Sequence, residues 1–117
     1  MVQNLTRDEV KQKIGAGATV LEALPEQYWE DAHLPGAHCL PLDRVDTLAP
    51  ELVPDKQSEV IVYCTGVTCP NSAQAAARLA QLGYERVYTY KDGKEDWIGA
   101  GLPTESAKQA QGSGDDR

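Results

Sequence analysis

Two cysteines frame the segment best equipped for chemistry. The stretch Tyr63-Cys64-Thr65-Gly66-Val67-Thr68-Cys69-Pro70-Asn71-Ser72 joins an apolar, β-branched run to a segment of helical periodicity. A chain curling from strand end into helix start turns successive N–H groups inward, and the helix adds its positive end. Gly66 permits tight curvature, and Asn71 or Ser72 can cap the helix. A thiol at the centre of such a cup is expected to ionise more readily than a free one, because the amides stabilise the thiolate. The same donors, from Thr65, Gly66, Val67, Thr68 and Cys69, would stabilise a persulfide anion or the anionic end of a substrate. Val67 and Thr68 would help set the size of the cup. Cys64 is therefore the candidate nucleophile, set against a simpler role as a small apolar residue ending a buried strand.

Cys69 lies five residues after Cys64 on the same curl. It could resolve a Cys64 persulfide or sulfenate as a redox partner, or merely pack under the loop beside Pro70. Cys39 follows a turn on a short strand, and structure alone explains it. His33 and His38 together with the three cysteines match no paired-cysteine zinc spacing, so neither a metal nor a cofactor is assigned. Asp43 and Asp46 read as solvated helix charges.

The elements that must position this loop alternate in type. Thr6-Arg7-Asp8-Glu9 forms a capping box ahead of Val10 and Ile14, with Gly15 and Gly17 as stops. A buried strand is expected over 18–24, and a short helix with Pro25 in its first position follows. His33-Leu34-Pro35-Gly36-Ala37 is a turn, leading to a brief strand that ends at Pro41. One or two helical turns are expected over 43–52, interrupted at Pro50. Glu59-Val60-Ile61-Val62-Tyr63 is the strongest strand and lacks polar alternation, so both of its faces should be buried. The helix after the loop runs over 72–82, with Gly83 at its C-terminus. A strand over 85–90 and a helix over 94–100 complete an α/β domain with a mainly parallel sheet. Residues 1–104 read as one domain and 105–117 as a polar, frayed tail.

A chain of 117 residues can bury a core without staples, and three cysteines cannot make an even disulfide framework. With no Phe, that core must come from aliphatic residues, Tyr and Trp. A net charge of −7 argues against nucleic acid as a partner, though backbone amides can still bind a small anion locally. No segment is long enough to cross a bilayer, and the first residues lack the apolar run of a secretory signal, so the cytoplasm is the expected compartment and no membrane partner is expected.

Taken in order, several pieces resemble the rhodanese family. These are the histidine-hydrophobe-Pro-Gly-Ala turn at 33–37, Val60-Ile61-Val62-Tyr63-Cys64, Ser72-Ala73-Gln74-Ala75-Ala76, Leu82-Gly83-Tyr84, Gly93-Lys94-Glu95-Asp96-Trp97 and Ala100-Gly101-Leu102-Pro103. The resemblance spans about 6–104 and implies a five-stranded parallel sheet flanked by helices. It implies that Cys64 takes sulfane sulfur from a small anionic donor, carries it as a persulfide, and passes it to a thiol, cyanide or protein acceptor. A non-catalytic or redox-regulatory module using Cys64 and Cys69 is the alternative. Rhodanese loops commonly carry Arg or Lys after the cysteine, and this one has no basic residue from Thr65 to Asn71 and is about two residues longer, which implies weak use of thiosulfate. The related phosphatases close their loop with an arginine; Pro70 and Asn71 stand there instead. The family's Asp-x-Arg in the first strand is replaced by Glu22-Ala23-Leu24, which removes a customary charge.

Overall fold

A computed structural model describes residues 2–106. Five strands form one parallel sheet: β1 (Gln3–Asn4), β2 (Thr19–Glu22), β3 (His38–Cys39), β4 (Glu59–Tyr63) and β5 (Arg86–Tyr90). Their spatial order is β1-β5-β4-β2-β3, so β4 is central and its carboxyl end delivers Cys64. Neighbouring registers pair Glu22 with Tyr63 and Tyr63 with Tyr90, aligning three strand ends at the base of the loop.

The helices are α1 (Arg7–Gly15), α2 (Glu26–Asp31), α3 (Val45–Leu52), α4 (Asn71–Gln81) and α5 (Gly93–Gly99). Alternation along β4 divides the core in two. Val60 and Val62 join Leu21, Leu40, Val45, Ala49, Ala75, Ala76 and Leu79 beneath α3 and α4. Ile61 and Tyr63 join Leu5, Val10, Val20, Tyr90 and Trp97 beneath α1 and α5. Tyrosine and tryptophan thus supply the aromatic bulk. Tyr90 meets Trp97 edge to face with ring centroids 6.4 Å apart, and the Trp97 indole donates to the Pro103 carbonyl at 2.7 Å.

Most elements fall where periodicity and punctuation place them, and the differences have physical reasons. The Thr6 capping box forms as expected, each side chain bonding the other residue's backbone N–H. Strand β1 had no expectation attached, because two polar residues carry no pattern; it exists by docking on β5. Pro25 stands one residue before α2 rather than inside it. Pro50 does not interrupt α3, which follows a 3-10 turn (Leu42–Arg44) and runs through the proline. Only two helical residues follow Pro50, and burial of Val45 and Ala49 outweighs the single lost donor.

Glu105 pairs antiparallel with His33 (N···O 2.9 and 2.8 Å), and its carboxylate accepts the Gly36 N–H. The Ser106 hydroxyl donates to the Glu30 carbonyl. These two residues, expected in a tail, are held against the domain; 107–117 lies outside the described residues.

Candidate functional site

The loop from Cys64 to Pro70 leaves the central strand and enters α4. Cys64 is 1% exposed, Gly66 is buried, Thr65 and Cys69 are half-buried, and Val67 and Thr68 face solvent. A turn closed by the Cys69 N–H on the Gly66 carbonyl (3.0 Å) folds the loop back on itself. That bond consumes the Cys69 amide, which the sequence reading had placed among the anion donors. The fold-back brings the two cysteines together. Cys64 Sγ lies 3.3 Å from the Cys69 carbonyl oxygen and within hydrogen-bonding reach of Cys69's own sulfur.

The start of α4 is organised around these sulfurs rather than around a cap. Among the described residues no side chain caps α4, and Pro70 occupies the cap position. Asn71 sends its amide to the Ala23 carbonyl at 2.9 Å, tying the helix start to the end of β2. The Ser72 N–H and hydroxyl turn to Cys64, and the Asn71 N–H, the Thr65 N–H and the Thr65 hydroxyl turn to Cys69. Ser72, read from sequence as a cap, is thus a sulfur-facing residue. Its type and place at a helix start were the available signal.

The charge distribution differs from the expectation of a readily ionised Cys64. Burial pushes the Cys64 thiol up, aided by its hydrogen bond to Cys69, and the Ser72 donors only partly offset this. Burial also acts upward on Cys69, but its hydrogen bonds from Cys64, Asn71 and Thr65 together outweigh it and hold this thiol below its ordinary range. Of the two thiols, Cys69 is therefore the one that ionises more readily. Cys39 is apart from both: it donates to the Leu24 carbonyl, and burial and nearby Glu22, Glu26 and Glu30 push its pKa to about 11.

Helix α5 backs the loop. The Lys94 N–H donates to the Cys64 carbonyl at 2.9 Å and the Glu95 N–H to the Thr65 carbonyl at 2.8 Å. Gly93, at φ +70°, permits this approach, since a Cβ there would lie 2.6 Å from the Cys64 carbonyl oxygen and 2.9 Å from the Gly66 nitrogen. The Glu95 carboxylate lies against Gly66, so an acidic side chain flanks the loop.

Beneath the loop is a buried polar network that the sequence did not reveal. Glu22 is fully buried; its carboxylate accepts the Tyr63 hydroxyl at 2.6 Å and the Lys94 ammonium at 3.1 Å. Lys94 also donates to the Tyr28 carbonyl, and the Leu34 N–H donates to the Tyr63 hydroxyl. Leu24 leaves the end of β2 without the expected cation, and Glu22 takes its partner from α5 as Lys94. His33 serves the turn: its Nδ1 is 2.6 Å from the Trp29 carbonyl and its ring stacks on Trp29 at 4.2 Å. Among the described residues no cluster of three or more His, Cys, Asp or Glu side chains could hold a metal ion.

A cleft of about 420 Å³, lined by Pro25, Pro41, Leu42, Asp43 and Asn71, opens beside the loop at the carboxyl ends of β2 and β3. A ligand cleft beyond the carboxyl ends of parallel strands is the usual arrangement in open α/β sheets.

The rhodanese-like domain model matches residues 6–100. The chain belongs to the rhodanese-like domain family. It is 30% identical over 102 residues to the HTH-type transcriptional regulator Rv0324 of Mycobacterium tuberculosis, covering 86% of this chain and 44% of that one. It is 39% identical over 64 residues to the thiosulfate sulfurtransferase PspE of Escherichia coli, covering 55% and 59%. Among solved structures it is similar to a rhodanese with anions from E. coli, with TM-score 0.65 and 27% identity, covering 77% of this chain and 99% of that one. The chain spans about half the length of the curated relatives it matches. The five-stranded sheet and its helices are the family's fold.

Proposed function

We infer that this rhodanese-like domain is a sulfurtransferase in which Cys64 accepts sulfane sulfur as a persulfide and passes it to a thiol, cyanide or protein acceptor. The observation that carries the reading is the placement of the Cys64 thiol at the end of the central strand, with the Ser72 N–H and hydroxyl directed at its sulfur. Similarity to named thiosulfate sulfurtransferases supports it.

In the resting loop the Cys64 thiol faces Cys69, the more readily ionised of the two. Cys69, once ionised, takes the Cys64 proton as a donor enters, and the Cys64 thiolate attacks the donor's outer sulfur while the rest of the donor leaves with the electron pair. The terminal sulfur of the new persulfide is then stabilised by the inward-facing donors. With no basic residue in the loop and the Glu95 carboxylate against Gly66, the site favours a donor of low charge, such as a thiol persulfide, over dianionic thiosulfate. The largely apolar cleft at Pro25, Pro41 and Leu42 offers room for the carbon body of such a donor.

The test is intact mass of the reduced protein after exposure to cysteine persulfide, and separately to thiosulfate. The wild type should become heavier by one sulfur atom, more completely with cysteine persulfide, and Cys64→Ser should not. No gain from either donor would overturn the reading and favour a binding or redox module.

A further inference from the structure

The sulfurtransferase reading leaves Cys69 without a role once it has received the Cys64 proton. Its position gives it one. The turn between the Gly66 carbonyl and the Cys69 N–H folds the loop so that Cys69 shields Cys64, placing its backbone carbonyl 3.3 Å from Cys64 Sγ and its sulfur within hydrogen-bonding reach. Cys69 is half-buried while Cys64 is buried, so Cys69 is the sulfur nearer to solvent. Donor groups flank both sulfurs, Ser72 beside Cys64 and Asn71 and Thr65 beside Cys69. The third thiol is excluded from the pair, since Cys39 bonds the Leu24 carbonyl.

We propose that Cys69 is a resolving thiol, so that this domain also reduces the sulfur it accepts, releasing sulfide and closing a Cys64–Cys69 disulfide. The proposal rests on Cys64 being the sulfur carrier. Cys69 sulfur attacks Cys64 Sγ, and the bond from Cys64 Sγ to the outer sulfur breaks with its electron pair on the outer sulfur. The proton that Cys69 took from Cys64 leaves with it as HS⁻. The two cysteines are oxidised by two electrons, and the sulfane sulfur is reduced by two. A further cycle uses an external dithiol, protein or small molecule, which attacks the more exposed Cys69 sulfur and regenerates both thiols. Holding nucleophile and electrophile on one short loop raises their effective concentration far above that of a competing acceptor in solution.

The experiment is a single turnover without reductant. Reduced wild type, Cys64→Ser and Cys69→Ser are each mixed with equimolar cysteine persulfide and desalted, then followed by intact mass, peptide mapping and free sulfide. The wild type should end two hydrogens lighter, with a Cys64–Cys69 crosslink and stoichiometric sulfide. Cys69→Ser should stay one sulfur heavier and release sulfide roughly tenfold more slowly or less. Wild type and Cys69→Ser both holding the added sulfur without sulfide release would overturn the proposal and leave the sulfurtransferase reading standing. Uptake by neither would overturn both. Uptake by the wild type and Cys64→Ser but not by Cys69→Ser would reverse the roles of the two cysteines and overturn the proposal as written.

Discussion

At the scale of single residues, two sulfurs share one set of donors, and the set is divided unequally. Cys64 has Ser72 on it and is pushed up by burial; Cys69 has Thr65 and Asn71 on it and sits lower. Alkylation should report this directly. As pH is raised from neutrality, iodoacetamide should modify Cys69 first, at a pH below that of an ordinary thiol, and Cys64 only at higher pH; peptide mass after timed quenching checks the order. Cys39, with its pKa near 11, should be modified last. Equal rates at all three positions would mean that the loop imposes no difference on its sulfurs. The acidic residue against Gly66 belongs to the same account: Glu95 makes the mouth of the loop poorer in positive charge, as the bare stretch from Thr65 to Asn71 already suggested.

Among the elements, α4 and α5 do different work on one loop. Helix α4 gives its free N–H groups to sulfur, and α5 grips the loop's outward carbonyls through Lys94 and Glu95. Gly93 is the point where the grip depends on the absence of a side chain. Gly93→Ala should cost about 1–3 kcal/mol from the positive φ alone. The clash with the Cys64 carbonyl should also displace the loop and lower sulfur uptake, to be checked by urea unfolding and by the mass assay. The elements themselves were largely legible in the sequence. Their signals are local: a capping box at Thr6, β-branched continuity in β4, and Gly83 at φ +103° after α4. What was not legible depends on approach between distant segments. Asn71 and Ser72 could be placed at a helix start, but whether they cap it or serve Ala23 and Cys64 is decided by where β2 and β4 end. The Cys64 thiol was misjudged for the same reason, since inward amides were visible in the pattern and the depth of burial was not.

For the molecule as a whole, the Glu22–Tyr63–Lys94 network joins β2, β4 and α5 beneath the loop. Removing one partner of a buried ion pair leaves the other uncompensated, so Glu22→Ala should lose about 3–5 kcal/mol in urea unfolding. Burial raises the Glu22 carboxyl above its ordinary value despite Tyr63 and Lys94. Its titration therefore contributes stability that is present below the unfolded carboxylate range and is lost as pH rises through the folded value. Relative to Glu22→Gln, the stability of the wild type should fall as pH increases across that window. The parallel sheet has a further consequence, for how this domain can be joined to others. β1 pairs Gln3 with Tyr88 and Asn4 with Thr89, so the described chain joins the edge of the sheet level with Ile61 and runs toward the Cys64 end. A neighbour joined through Gln3 therefore attaches about 10 Å short of Cys64 along the strand direction, with β5 standing between it and β4. A tethered neighbour and a free-standing acceptor alike meet Cys69 first, because Cys64 is buried behind it.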